Sequence, residues 1–393
     1  MKSLKKLVLI GAVVAMSTSL FTGCSYEGKT LSDAFSKTQK ITSSESKTEI
    51  GVRFAAENLS AEEQQQASNV IPMINGSKMT INTKANQDKD GKVGKMQADV
   101  AMQVGTMPLN MGIWADVNMA DGKNEFKEII KVPAAEAQKM GGKQYIILDN
   151  SMMGKTNGTN MDLTKASEDM QNKFSKMIFS SMASFDPGFK IVKETGYTYM
   201  NLPDGRKLVR TFQVKLNDKQ FKDLIKYTSN NLINNKDAKD LLKDYLTTVT
   251  KVSALSEEEA KANQAGIDKA FSDFDKGLPQ FTAQMNKILN AFDEVTLVGD
   301  KGIVIEYAVD GDGYVVNEKG NIDLVFDSAK LIPTVEKLSG TSTQNKLTGV
   351  YKLGIDFNTS TFNINKNLEI KFPETNSENS VQFQDLISES KIK

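Results

Sequence analysis

Apolar and polar residues alternate with a period of two along both ends of the chain and recur at spacings of three and four through its middle. A period of two predicts strands with one apolar face, because successive side chains point to opposite sides of a sheet. Between Ser46 and Leu148 the predicted strands are Thr48-Ile50-Val52-Phe54, Met79-Ile81, Met96-Val100-Met102-Val104, Met111-Ile113-Val117-Met119, Phe126-Ile130-Val132 and Tyr145-Ile147. Asp90-Gly91 and Asp121-Gly122 read as hairpin tips, where glycine supplies the positive φ a tight turn needs. The Glu- and Gln-rich stretch from Ala61 to Met73 interrupts the first pair as a helical excursion or a loop.

Helical spacing takes over from Asp162 to Phe185, with Leu163, Ala166, Met170, Phe174, Met177, Ile178 and Met182 on one face. Strands return at Phe189 to Thr195 and Tyr197 to Leu202, then, after an Asp204-Gly205 turn, at Lys207 to Leu216. Asn217 with Gln220 three residues later opens a helix carrying Phe221, Leu224, Ile225 and Leu232, and Asp237 to Val249 forms a second. Ser256-Glu257-Glu258-Glu259 is a capping box for a long third helix. Its apolar stripe is Ile267, Phe271, Phe274, Leu278, Phe281, Met285, Ile288 and Phe292, and Gly277 and Pro279 predict a kink or break within it. A coiled-coil partner would use such a stripe; packing on the protein's own sheet explains it more simply.

The last third alternates most clearly, in Ile303-Ile305-Tyr307-Val309, Tyr314-Val316, Ile322-Leu324-Phe326, Leu347-Tyr351-Leu353-Ile355-Phe357 and Phe362-Ile364-Leu368-Ile370-Phe372. Charged Asp323, Asp327, Lys352, Asp356, Glu369 and Lys371 take the opposite positions, so one side of the sheet meets water. Residues 376–393 read as a frayed tail. Strands at both ends with helices between them predict an α+β domain over residues 46–375, a large curved antiparallel sheet covered on one face by helices.

The amino terminus gives an address. Lys2, Lys5 and Lys6 precede the apolar run Leu7 to Met16 and the small-residue site Phe21-Thr22-Gly23-Cys24, the layout of a secretory signal. About ten apolar residues are too few to span a bilayer, which needs roughly 20. The stretch resembles the lipobox of bacterial lipoproteins, with Phe21 at the position usually held by leucine. That resemblance implies removal of residues 1–23 and a diacylglyceryl thioether on Cys24, a two-chain anchor to the extracytoplasmic face of the membrane. The Ser-, Thr- and Lys-rich residues 24–45 then read as a tether, with a short helix over Leu31 to Lys40.

Composition removes whole classes of chemistry. Among 393 residues there is no histidine and one cysteine, Cys24. Ser-His-Asp and Cys-His nucleophiles are excluded, as are zinc sites built on His or Cys, His-ligated haem and iron-sulfur clusters. The 49 basic and 49 acidic residues balance, and loss of three lysines with the signal leaves a small acidic excess, with no basic footprint for nucleic acid. No cofactor, metal or catalytic residue is expected.

Asn86-x-Asp88-x-Asp90-Gly91 matches the first half of an EF-hand loop, but Gln97 stands where the bidentate glutamate would be, so a hairpin turn is the expected reading. Asp310-Gly311-Asp312-Gly313 is likewise a turn between strands. Methionine is concentrated between Met73 and Met182, either as core filling or as an adaptable apolar surface; no tight Met-x-x-Met cluster suggests copper(I).

The order of strands, central helices and strands behind a lipobox and polar tether resembles lipoproteins with the half-open barrel fold of the outer-membrane lipoprotein carrier and the mycobacterial lipid-carrier lipoproteins. The resemblance implies an apolar cavity for acyl chains between sheet and helices and no catalytic residues. Ile267, Phe271, Phe274, Leu278, Phe281 and Met285 are the candidate lining. The alternative is a cell-surface structural or protein-interaction lipoprotein without a ligand.

Overall fold

A computed structural model of the chain describes residues 25–105, 107–120, 123, 125–150, 173, 186–253, 257–339 and 347–390. The signal segment with Cys24, the Asp121-Gly122 tip, the Asp162 to Phe185 helix apart from Lys173, and Ser256 lie outside them. The strands are β1 (Ser43–Glu57), β2 (Lys78–Gln87), β3 (Val93–Val104), β4 (Met107–Asn118), β5 (Glu125–Lys131), β6 (Tyr145–Asp149), β7 (Val192–Leu202), β8 (Gly205–Leu216), β9 (Val298–Asp310), β10 (Val315–Asp327), β11 (Val350–Phe362) and β12 (Ser380–Gln382). The helices are α1 (Tyr26–Thr38), α2 (Ala61–Asn75), α3 (Ala134–Lys139), α4 (Asp218–Asn234), α5 (Lys236–Ser253), α6 (Glu257–Ala291), α7 (Ser328–Ser339) and α8 (Phe383–Ser390).

All twelve strands form one open sheet in the order β12-β6-β5-β4-β3-β2-β1-β11-β10-β9-β8-β7. Neighbours are antiparallel except β12 and β6, which are parallel. Two meanders, β1 to β6 and β7 to β11, meet along a β1–β11 ladder running from Glu45 opposite Phe362 to Glu57 opposite Val350. The register there sets Ile50 against Phe357, Val52 against Ile355 and Phe54 against Leu353. A slip of one residue would turn every one of those side chains to the wet side, so apolar pairing fixes the join.

The main buried cluster belongs to the second meander. Phe212, Val214, Ile305 and Tyr307 of β8 and β9 pack with Leu31 and Ala34 of α1 and Leu224 of α4. Phe35 meets the Tyr307 ring edge-on at 5.2 Å. Asn217 and Gln220 cap α4 reciprocally, as the spacing predicts, through backbone-to-side-chain bonds of 3.1 and 2.9 Å. Asp218 then accepts from the amides of Leu297 and Val298, tying the start of α4 to the start of β9.

Several expectations are corrected. Much of the predicted tether is α1, an integral part of the core: Ser25 caps it by accepting from the Gly28 amide at 3.0 Å, and Leu31 is 0% exposed. Its polar composition describes the outer side of an amphipathic helix whose Leu31, Ala34 and Phe35 face inward. The pairs Phe189 to Thr195 with Tyr197 to Leu202, and Tyr314 to Val316 with Ile322 to Phe326, are single strands; β7 is continuous through a bulge at Gly196, whose φ is +113°. No break interrupts α6 at Pro279, and its helical neighbours are α5 and α4.

Phe362 to Phe372 is not a strand. The chain leaves β11 through Asn363 and Asn365, both with left-handed backbone, and turns across the sheet. Asn86 of β2 donates to the Leu368 carbonyl at 2.7 Å, Lys95 of β3 lies over the Phe372 ring, and the Gln144 amide donates to the Asn379 carbonyl. This strap keeps its alternation because Leu368, Ile370 and Phe372 are half-buried. It delivers β12 and α8 to the β6 edge, where a frayed tail was expected.

Candidate functional site

Residues on one face of neighbouring strands line up in rows across the sheet. One row runs Phe357, Ile50, Met79, Met102, Leu109 from β11 to β4. The next runs Thr359, Thr48, Ile81, Val100, Met111, and a third Thr83, Ala98, Ile113, Ile130, Ile146 from β2 to β6. Apart from buried Ala98, these side chains are only half-buried. Among the described residues, neither buried core cluster takes a side chain from β1 to β6. The first meander therefore presents an apolar face that lacks the packed layer the second one has.

The opposite positions are polar, as in Lys47, Glu49 and Arg53 of β1 and Lys95, Gln97 and Asp99 of β3. A groove of about 540 Å³ lies on that side, lined by Lys95, Asp116, Asn118, Glu125, Lys127 and Asp149. Val93 and Phe126 stand among these charges. Trp114, Ile129 and Ile147 are exceptions on this side; they form one buried row across β4, β5 and β6, and the Tyr145 ring meets Trp114 edge-on at 6.5 Å. Gly112 permits this placement, since a Cβ there would lie 2.5 Å from the indole.

At one rim of the apolar face, Val70 and Met73 of α2 and Met107 at the β3–β4 turn are exposed. Five methionines (79, 96, 102, 107 and 111) share the face by register. Flexible thioether side chains let such a surface fit apolar partners of irregular shape. The helix α2 is fastened at the β11 end by Glu63, whose carboxylate accepts from the Ser60 amide at 2.7 Å, the Thr348 amide at 2.9 Å, the Thr348 hydroxyl at 2.8 Å and the Tyr351 hydroxyl at 2.7 Å. These donors, Tyr351 first, hold the Glu63 carboxyl well below the usual carboxylate range. Ser60 and Glu63 form a capping box that the S-x-x-E spacing could have revealed.

Two carboxyls interrupt the apolar face. Glu128 stands in the row Met96, Ala115, Glu128, Leu148, where burial raises its pKa. Glu318 lies opposite Tyr307 and Thr359, at the boundary between the packed and open halves. Burial pushes its carboxyl up to about 7, against an opposing contribution from the Tyr307 hydroxyl. Beside it the Thr48 and Thr359 hydroxyls are 3.0 Å apart. Neither glutamate was singled out from sequence, because nothing in local spacing reports which face of which strand will be dry.

The six stripe residues Ile267, Phe271, Phe274, Leu278, Phe281 and Met285 all lie along α6. Phe274 and Phe281 pack edge-on at 5.4 Å, and Phe281 is 39% exposed; the other five are half-buried. The acidic turns serve their own backbone. Asp88 accepts from the Lys92 and Val93 amides at 2.7 and 3.1 Å, closing the β2–β3 hairpin. Asp310 accepts from the Asp312 and Tyr314 amides at 3.1 and 3.0 Å, closing β9–β10. No described helix is long and apolar enough to cross a membrane.

No protein-family model matches the sequence, and the comparison with curated proteins yields no match.

Proposed function

We propose that the protein is a membrane-anchored extracytoplasmic lipoprotein that holds a lipid or another apolar ligand against the open half of its sheet. The observation that carries this reading is the run of half-buried apolar rows across β11 and β1 to β6, bordered by a methionine-rich rim. A dozen strands with right-handed twist curl readily, so the open half serves as the wall of a half-barrel whose contents are the ligand. The anchor is the diacylated Cys24 behind a cleaved signal, and no catalytic step is assigned.

The energetics favour an acyl chain. Transfer of roughly 16 methylenes at ~0.8 kcal/mol each gives a gross gain on the order of 10 kcal/mol. That exceeds the lower estimates, about 4 kcal/mol, for the freedom lost on association. Buried or half-buried Glu128 and Glu318 supply the few polar groups that orient a guest in an apolar site.

Native mass spectrometry and solvent extraction of the mature chain test the reading. The expected result is co-purified lipid, lost in a Val100→Asp, Met111→Asp double variant that still folds. A ligand-free wild type that takes up no added lipid contradicts it. For the anchor, Cys24→Ser is expected to abolish acylation and release the protein or leave it unprocessed; an unchanged membrane fraction with normal cleavage refutes that part.

A further inference from the structure

The helix α1 starts immediately after the proposed anchor. Ser25 is its N-cap, and Leu31, six residues on, is fully buried in the core. With 1.5 Å rise per helical residue, Leu31 lies on the order of 10 Å from the anchored position. At its other end α1 is locked, since the Thr38 hydroxyl accepts from the Val315 amide at 2.9 Å and Lys37 donates to the Asp312 carbonyl. A lipid on Cys24 thus meets a folded body with no slack chain between them.

The surface around that point has a distinctive chemistry. Tyr26, Tyr197 and Tyr199 are 71%, 67% and 61% exposed, and Leu208 is 49% exposed. They form one group. Tyr197 pairs with Arg210 and Tyr199 with Leu208 across the β7–β8 hairpin, and the Arg210 guanidinium lies 5.6 Å from the Tyr26 ring. Arg206 stacks at 4.2 Å on Tyr199. Glu194 grips Arg210 through two bonds of 2.9 and 2.5 Å, which fixes the guanidinium between the tyrosines. Exposed apolar residues scattered singly need no explanation, but a contiguous group does. Tyrosine rings with an apolar body and a wet hydroxyl, interleaved with arginines, match the headgroup zone of a phospholipid bilayer.

We infer that this face, built from Tyr26, Tyr197, Tyr199, Arg206, Leu208 and Arg210, rests on the phospholipid surface that the Cys24 anchor enters. This rests on the lipoprotein reading above and adds an orientation to it. The β7–β8 hairpin touches the membrane, and the β12–β6 edge is the opposite end of the sheet. Arg206 meets lipid phosphate, Arg210 stays paired with Glu194 beneath the rings, and the tyrosine rings lie at the glycerol level.

Acylation of Cys24 leaves no free thiol, so a nitroxide on Leu208→Cys or Tyr199→Cys reports one place at a time. The mature acylated chain is reconstituted in vesicles of phosphatidylethanolamine and phosphatidylglycerol, with a Lys47→Cys label on the polar face as control. The expected result is that labels at 208 and 199 are shielded from a water-soluble nickel chelate and reached by oxygen, while the label at 47 shows the reverse. If the acylated protein sits on vesicles but all three labels share the accessibility of 47, the resting face is wrong and the anchor stands. If the mass of the mature chain shows no acyl group, the anchor reading falls and takes this orientation with it.

Discussion

The two meanders of the sheet use the same alternating code and end in different physical states. In the β7–β10 half, Phe212, Tyr307 and Val214 are buried beneath α1 and α4. In the β1–β6 half, Ile81, Val100, Met102 and Ile113 occupy equivalent positions on the same face and stay half-buried. Alternation thus specifies which face avoids water; the helices at hand specify how fully it does so. An apolar face that the fold leaves partly wetted is unfavourable by roughly 25 cal/mol per Å² of exposed apolar area. A guest that covers it recovers that energy, which is why the open half is the place to look for a ligand.

The contrast has measurable consequences. Phe212→Ala removes a ring from the packed half and is expected to lower unfolding free energy by about 3–5 kcal/mol in urea titrations. A loss near that of an exposed position would mean the packed half is not packed. At the boundary, Glu318 is held protonated in the fold at pH values where the unfolded chain, with an ordinary value of 4.5, is ionised. Folding then takes up a proton between about pH 4.5 and 7, so stability falls as pH rises through that window. Glu318→Gln should flatten the fall and stabilise the protein by about 2 kcal/mol above pH 8; superimposable melting profiles for the two proteins would place Glu318 in water.

Glu63 has the opposite sign. Its folded pKa is depressed, so its contribution is full above the ordinary value of 4.5 and is lost progressively as pH falls from there toward the much lower folded value. Glu63→Gln should lower Tm more at neutral pH than at about pH 3, read by calorimetry; an equal loss at both pH values would show that charge is not what fastens α2. The smallest effect belongs to the open half. Val100→Ala is expected to change the stability of delipidated protein by less than about 1 kcal/mol, well under the change at Phe212, because its site already meets solvent. A loss matching Phe212→Ala would erase the distinction between the halves.

Much of this architecture was legible in the chain. Period-two runs located most strands, and the Asn217/Gln220 and Asp204-Gly205 signals marked a helix start and a hairpin correctly, because those rules act over a few residues. What local pattern could not report was partnership. Leu368, Ile370 and Phe372 alternate like a strand but lie in a strap across the sheet, and Leu31 lies in a polar-looking segment but fills the core. The site suffered in the same way. The α6 stripe drew attention by its regularity, whereas Glu128, Glu318 and the methionine rows acquire meaning only once strands far apart in sequence stand side by side.

The most direct test of an apolar ligand on the open half is photo-crosslinking of the mature chain with a phospholipid carrying a diazirine in its acyl chain, followed by peptide mapping. Adducts are expected on the rows that include Met79, Val100, Met102 and Met111. Adducts confined to α5 and α6, or spread evenly over the polar face with Lys47 and Asp99, would contradict the assignment.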